Sequence, residues 1–188
     1  MHLGQKSGPG MTATKNGATD WRDQIYDIFR ENGIRHVAHV PDGGHAKLIK
    51  HCEADPDMTA VTLTTEEEGV GMLIGSWLGG VRGALLIQSS GVGNIPNALS
   101  VAKHGKFPML MLVSMRGQWG EGMPWQVPMG QATRALLEAM GVIVFEADTP
   151  ESVKDTVEAA SWLAFDSSVA VAVLLTQHLI GTKKFVAP

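Results

Sequence analysis

The chain has 188 residues, which at roughly 100–200 residues per domain predicts one compact domain and nearly excludes a two-domain enzyme. Hydrophobic residues make up 44% and charged residues 18% of the sequence, which excludes a disordered or collagen-like chain, and a formal charge of −4 without a basic run predicts no nucleic-acid partner. The single cysteine, Cys52, excludes an internal disulfide, and there is no apolar stretch of about 18 residues, so we expect a cytoplasmic protein without a membrane segment.

The predicted elements alternate between helices and strands. Residues 1–18 hold little that can be buried and are predicted to form a disordered tail, whereas residues 19–188 form one domain whose first helix starts after the cap residue Asp20. Short apolar runs typical of strands buried on both faces lie at residues 36–40, 60–63, 84–87, 109–113, 142–145 and 169–175. Helical patterns separate them at about 44–52, 67–79, 94–104, 129–140 and 151–164. This order predicts a doubly wound α/β domain with a mainly parallel six-stranded sheet and helices on both faces.

Polar or glycine-rich segments follow the first four predicted strands, at residues 41–45, 64–69, 88–94 and 114–117. Because ligands of open parallel sheets bind beyond the carboxyl ends of the strands, we expect the functional site at this edge. The long segment Met115 to Pro128 is rich in Gly, Trp and Met, which predicts a lid or a protein interface.

Three consecutive carboxylates, Glu66, Glu67 and Glu68, stand where the second strand becomes a helix. In one interpretation they stabilise the helix start, with Thr64 and Glu67 or Thr65 and Glu68 forming a capping box. In the other, one of them points into the crevice, partly desolvated, and exchanges a proton with a bound heterocycle. The sequence leaves open which glutamate that is.

The segment Gly91-Val92-Gly93 lacks the glycine spacing of a phosphate-binding loop. It is explained by a tight turn in which Asn94 caps the next helix and Pro96 lies in its first turn, or by the close approach of a ligand to bare backbone. None of the seven histidines shows the spacing of metal ligands, so no metal held by this chain is predicted. Arg116 has the donor geometry to pair with an anionic substrate group.

Together these segments resemble the pyrimidine-binding (PYR) domain of thiamine-diphosphate decarboxylases, over about Asp20 to Thr176. The motifs that carry the resemblance are Val40-Pro41-Asp42-Gly43, residues 65–71, residues 88–94 with Asn97-Ala98-Leu99, Arg116-Gly117 and residues 128–133. They are most similar to the alpha subunits of sulfopyruvate decarboxylases and to the matching half of phosphonopyruvate decarboxylases. Gly43 and Ser89 depart from the pattern, since relatives carry serine and asparagine at these places.

The resemblance implies roles for individual residues. In this family a PYR-domain glutamate hydrogen-bonds the cofactor's aminopyrimidine ring and promotes deprotonation of the thiazolium carbon. Counting back from Gly75 selects Glu66, whereas aligning Gly69 and Gly71 selects Glu67. The residues implied in cofactor binding besides these are Gly91, Val92, Gly93 and Asn94, and those implied in substrate binding are Pro41, Asp42, Gly43, His45, Ser90 and Arg116.

The resemblance also implies a partner. In this family a separate pyrophosphate-binding domain, marked by Gly-Asp-Gly, holds the diphosphate through Mg²⁺, and this sequence contains no Gly-Asp-Gly. A beta subunit carrying that domain and the Mg²⁺ is therefore implied, in an alpha2-beta2 or larger hetero-oligomer. The implied reaction is the removal of CO2 from a small anionic 2-oxo acid, with sulfopyruvate to sulfoacetaldehyde preferred. The alternatives are a phosphonopyruvate decarboxylase or carboligase subunit, or a non-catalytic PYR-like scaffold subunit.

Overall fold

A computed structural model describes residues 20–182, and the tail predicted at residues 1–18 lies outside them. Helix α1 (Trp21–Glu31) begins where the Asp20 carboxylate accepts a hydrogen bond from the Arg22 backbone N–H at 2.9 Å, as predicted for a cap. It ends at Asn32, and Gly33 continues the chain with a φ of +68°, which favours glycine.

The strands form one parallel sheet in the order β2-β1-β3-β4-β6-β5. Their bounds are β1 (Ile34–His39), β2 (Thr59–Thr62), β3 (Arg82–Gln88), β4 (Met109–Ser114), β5 (Ile143–Ala147) and β6 (Ala170–Leu175). The predicted six-stranded doubly wound sheet is confirmed, because strands covered on both faces appear in the sequence as uninterrupted apolar runs.

Helices cover both faces of the sheet. The remaining helices are α2 (Ala46–Ala54), α3 (Glu66–Leu78), α4 (Ser89–Val92), α5 (Pro96–Gly105), α6 (Val127–Ala139), α7 (Pro150–Ser167) and α8 (Gln177–Ile180), with a 3₁₀ turn at Pro124–Gln126. One apolar core joins α1, α2 and α7 to the sheet, and a second core on the opposite face joins α3, α5 and α6. The four-residue helices α4 and α8 were not predicted, since neither is long enough to show a helical period.

The topology places a crevice at the carboxyl edge of the sheet. After β1 the chain turns outward to β2, and β3 then returns to the other side of β1, so the loops after β1 and β3 diverge. These loops hold residues 40–45 and the Gly91 turn. Within residues 20–182, none of the helices has the length and apolar composition needed to cross a bilayer.

Candidate active site

Glu66 is the first residue of α3, and its side chain is almost completely buried. The Asn94 side-chain N–H donates to Glu66 Oε2 at 2.8 Å, whereas Oε1 receives no hydrogen bond from any residue that the structure describes. Gly91 lies directly against this carboxylate, and a Cβ built at Gly91 would overlap it. One oxygen of a buried carboxylate is therefore left to bond a ligand.

The other two glutamates are exposed and differ in their contacts. Glu68 accepts hydrogen bonds from the Thr64 hydroxyl at 2.7 Å and the Thr64 backbone N–H at 2.9 Å, and these bonds lower the pKa of Glu68. Neither capping box predicted from the sequence forms, because Thr65 caps α3 without a side-chain hydrogen bond. Glu68 thus stabilises the start of α3, and of the three glutamates Glu66 is the one that contacts Gly91.

The prediction that Asn94 caps the next helix is wrong. The N-cap of α5 is Ile95, and Pro96 occupies the first turn as expected. The Asn94 amide donates to Glu66 instead, so Asn94 links the segment after β3 to the start of α3. Val92 is completely buried in the second core, whereas Gly93 and Asn94 are exposed beside it.

Asp42, in the loop after β1, is held by three donors. Its carboxylate accepts hydrogen bonds from the Ser114 hydroxyl at 2.6 Å, the Gln88 amide at 2.9 Å and the Gly44 backbone N–H at 2.9 Å. Burial alone would raise the pKa of Asp42, but the neighbouring His45 and these donors outweigh it and lower the pKa. Asp42 is therefore an anion at neutral pH.

Gln88 links the loop after β1 to the segments that follow β3 and β4. While its amide N–H bonds Asp42, its carbonyl oxygen accepts from the Ser90 hydroxyl at 2.9 Å and the Gln126 amide at 3.0 Å. Sequence reasoning quoted Gln88 and Ser114 within its segments but gave neither a role. The signal was that each is the last residue of a buried strand, where a polar side chain needs a partner.

His45 is completely buried and does not reach the surface of the loop. Its Nε2 lies 3.2 Å from the backbone carbonyl of Ile87, and burial lowers the pKa of His45 although the Asp42 carboxylate acts to raise it. Pro41 and Gly43 are exposed on the same loop. Among the residues of this loop that were predicted to bind substrate, His45 is thus buried beneath the exposed Pro41 and Gly43.

A cleft of about 160 Å³ opens between the loops after β1 and β4 and the end of α8. It is lined by Arg22, Asp42, Gly43, Gly44, Ser114, Met115, Arg116, Ile180, Gly181 and Thr182. The Arg116 guanidinium lies in the cleft wall but is engaged by Glu121, with Nε 2.7 Å from Oε2 and Nη2 in contact with Oε1. This pair raises the pKa of Arg116 and lowers the pKa of Glu121 to about 2.

Glu121 fastens the β4–α6 loop (residues 115–123). Besides Arg116, it accepts hydrogen bonds from the backbone N–H groups of Gly117 and Met123 and from the Gln177 amide, all at 2.9–3.0 Å. Gln177, in α8, also accepts from the backbone N–H groups of residues 118 and 119. Sequence reasoning missed Glu121 and Gln177, because nothing in the spacing relates a loop residue to a helix 56 positions later.

Comparison with known proteins identifies the family. The family model described as "Thiamine pyrophosphate enzyme, N-terminal TPP binding domain" matches residues 19–142. The chain belongs to this family. Its predicted resemblance to the PYR domain of thiamine-diphosphate enzymes is thereby confirmed.

Relatives of this TPP-binding domain include two named decarboxylases. The sulfopyruvate decarboxylase subunit alpha of Methanococcus maripaludis is 36% identical over 81% of this chain and 92% of its own length. The phosphonopyruvate decarboxylase of Streptomyces viridochromogenes is 35% identical over 56% of this chain and 27% of its own length. The chain is thus similar to almost the whole of a separate alpha subunit, but to about a quarter of the longer enzyme.

A solved structure shows the same fold. The 2-oxoglutarate:ferredoxin oxidoreductase from Magnetococcus marinus matches with a TM-score of 0.71 at 15% identity, over 86% of this chain and 29% of that chain. This confirms the predicted fold.

In this TPP-binding domain the predicted cofactor residues fall into two groups. Glu66, Gly91 and Asn94 contact one another, whereas Glu67 is exposed and has no hydrogen-bond partner in the described part of the chain. Among residues 20–182, no group of three or more His, Cys, Asp or Glu side chains is placed to hold a metal ion.

Proposed function

We propose that this chain is the alpha subunit of a thiamine-diphosphate-dependent decarboxylase, with sulfopyruvate as substrate and sulfoacetaldehyde as product. The observation that carries the proposal is the Glu66 carboxylate, which is buried at the sheet edge, held through one oxygen by Asn94 and without a donor among residues 20–182 at the other. The similarity to an alpha subunit of that name, over most of both chains, supports the choice of substrate.

The residues at this edge fit the pyrimidine end of thiamine diphosphate. A ring approaching Glu66 needs an open carboxylate oxygen and a neighbour without a side chain, and Oε1 and Gly91 supply these two features. Bound thiamine diphosphate supplies the electron sink that lets CO2 leave. In our proposal Glu66 Oε1 holds the proton at the pyrimidine ring and Asn94 fixes the carboxylate through Oε2, whereas Gly93 is exposed beside them and takes no direct part.

The substrate is proposed to lie in the cleft beside Asp42. Three donors hold the Asp42 carboxylate, so it keeps a fixed position in the wall of the proposed substrate cleft. Ser90 contributes by fixing Gln88, and His45 supports the loop from below. These are positioning roles, and Pro41 and Gly43 remain predicted contacts at the surface.

We further propose a beta subunit that holds Mg²⁺ and the diphosphate. Support comes from two neighbouring helices, α3 and α5, whose exposed residues Gly71, Gly75, Leu78 and Val101 we call the α3–α5 face. Leu78 is 71% and Val101 is 58% exposed, and outside the local helix backbone no described atom lies within 4 Å of a Cβ built at Gly71 or Gly75. Glycine inside a helix costs about 0.5–1 kcal/mol relative to alanine, and no side chain among residues 20–182 crowds these two positions.

The position of the α3–α5 face favours the beta subunit as its occupant. Helix α3 begins at Glu66 and α5 begins just after Asn94, so the face runs directly away from the proposed cofactor residues. In our proposal the chain that holds the diphosphate of the same cofactor lies over these two helix starts and extends along the face. The cytoplasmic location expected from the sequence stays a prediction.

Co-purification with the chain encoded next to it tests the proposal. The complex, supplied with thiamine diphosphate and Mg²⁺, is expected to release CO2 from sulfopyruvate faster than from phosphonopyruvate. The reverse preference would move the proposal to the phosphonopyruvate enzymes, to which the chain is also similar. A well-folded complex that forms but neither binds the cofactor nor releases CO2 would support the non-catalytic scaffold.

A further inference from the structure

We infer that Arg22 recognises the second anionic group of the substrate, the sulfonate of a sulfopyruvate-type acid. This inference rests on the proposed function, since it names the residue that distinguishes this substrate from an acid with one negative charge. Sequence reasoning assigned that task to Arg116. The cleft contains both residues, and their contacts separate them.

A small 2-oxo acid with a sulfonate carries two negative charges, and burying the second charge requires a cation with directed donors. Among residues 20–182, Arg22 and Arg116 are the two cationic side chains that line the cleft. Its volume of about 160 Å³ suits a small acid, since pockets for larger ligands measure about 300–1,000 Å³.

Arg116 is already committed. Both Nε and Nη2 face the Glu121 carboxylate, and the side chains of this pair are only 12% and 4% exposed. If a substrate took the guanidinium away, the buried Glu121 would lose its cation. Arg116 is therefore better explained as the anchor of the β4–α6 loop.

Neighbouring residues hold the Arg22 guanidinium in place but bond only part of it. Its guanidinium stacks 3.9 Å above the Trp21 ring, and its Nε donates to the Gly44 carbonyl at 3.2 Å. Nη1 lies 3.4 Å from the Asp20 carboxylate, which Lys47 Nζ also contacts at 3.1 Å. Nη2 makes no hydrogen bond to any described residue, so one edge of an oriented guanidinium remains for an oxyanion.

The cleft also contains one carboxylate, which already has donors. Asp42 lines the same cleft as an anion, but its oxygens are occupied by three donors and face Ser114 and Gln88. Gly44 separates Asp42 from Arg22, and a Cβ built there would lie 2.8 Å from both Asp42 Oδ2 and Ser114 Cβ. Glycine at this position thus lets the loop after β1 pack closely against Ser114 in the cleft wall.

The inference is tested in the reconstituted complex with the variants Arg22→Gln and Arg22→Lys. The control is Arg82→Gln. Arg82 also lies over an aromatic ring, 4.9 Å from the centroid of Phe165, but it is the first residue of β3 and so lies at the edge of the sheet opposite the cleft. Two quantities are measured: the KM for sulfopyruvate, and the Kd for sulfoacetate, which carries a carboxylate and a sulfonate without the ketone, determined by calorimetry.

We expect Arg22→Gln to raise both constants at least about tenfold with a smaller change in kcat, as for a lost hydrogen bond to a charged group. Arg22→Lys should raise them less, and Arg82→Gln should leave them unchanged. Unchanged constants in Arg22→Gln, or a loss of kcat alone, would overturn the inference. If Arg22→Gln does not fold, an unchanged Kd in Arg22→Lys overturns it.

The two proposals fail in different ways. A wild-type complex that binds sulfoacetate through Arg22 but releases no CO2 would contradict the proposed reaction and leave the anion site standing. An active complex whose Kd for sulfoacetate is the same with Arg22 and with its variants would contradict only the inference about Arg22.

Discussion

At the scale of single residues, three consecutive glutamates acquire different environments because successive positions on a helix are rotated by about 100°. Glu66 is buried against Gly91, Glu68 bonds Thr64, and Glu67 is exposed. The same chemical group is therefore a buried carboxylate beside Gly91 in one position and a support for the helix start in another.

The contact between Gly91 and Glu66 makes Gly91→Ala a sensitive test of the site. The new Cβ would displace the Glu66 carboxylate. Because this carboxylate is the end of a flexible side chain, the free energy of unfolding should fall by only about 1–3 kcal/mol. The rate of CO2 release by the complex should fall about 100-fold, because the carboxylate no longer holds its position.

Gly93→Ala is the matched control for this substitution. The nearest atom to its Cβ would be the flexible Met129 Sδ at 3.3 Å, so we expect stability and rate close to those of the wild type. Full activity in Gly91→Ala would show that the position of Glu66 does not matter.

How far the site could be predicted from sequence also depends on such contacts. The edge of the sheet that carries it follows from alternating apolar runs and polar turns. The choice between Glu66 and Glu67 does not, because it depends on Asn94 and Gly91 in another loop. For the same reason Arg116 looked free in the sequence, although Glu121 pairs with it.

At the scale of elements, the β4–α6 loop depends on Glu121 for its attachment to α8. Glu121→Gln should lower the free energy of unfolding by about 2 kcal/mol at pH 7, since hydrogen bonds to a charged group are lost and Arg116 is left unpaired. Urea unfolding measures this difference. The control Glu138→Gln, in an exposed pair with Arg134, should change little.

The effect of Glu121 should depend on pH with a defined sign. Its pKa is about 2 in the folded protein against an ordinary 4.5, so its contribution is fully present above pH 4.5 and is lost as the pH falls towards 2. The difference between wild type and Glu121→Gln should therefore shrink across this window. A difference that stays constant down to pH 2 would contradict the ion pair.

The α3–α5 face predicts opposite effects of one substitution on folding and on assembly. Gly71→Ala should raise the free energy of unfolding of the isolated chain by about 1 kcal/mol, because alanine favours the helix and fits without a clash. The added methyl group should weaken binding to the beta subunit, measured by calorimetry.

Ser168→Gly provides the control for Gly71→Ala. Ser168 ends α7 with a φ of +53°, and glycine there should also stabilise the chain, by up to about 1 kcal/mol. It lies outside the α3–α5 face, so binding should not change. Equal affinities in both variants would remove the face as a docking surface.

At the scale of the whole molecule, the six strands and the longer helices could be predicted because burial on both sides of a parallel sheet leaves a strong pattern in the sequence. What the pattern does not contain is the arrangement of loops at the carboxyl edge. Gln88 and Ser114 meet at Asp42, and Gln177 meets Glu121, in each case from distant parts of the chain. The fold positions these residues, and their chemistry follows from contacts that only the folded chain makes.

The most direct test of our account is the rate of CO2 release by the reconstituted complex carrying Glu66→Gln or Glu67→Gln, with assembly checked by gel filtration. We expect Glu66→Gln to lose at least about 100-fold, in the range for removal of an acid–base group, and Glu67→Gln to stay within about threefold of the wild type. An assembled Glu66→Gln complex with the wild-type rate, or a large loss confined to Glu67→Gln, would contradict the assignment of Glu66.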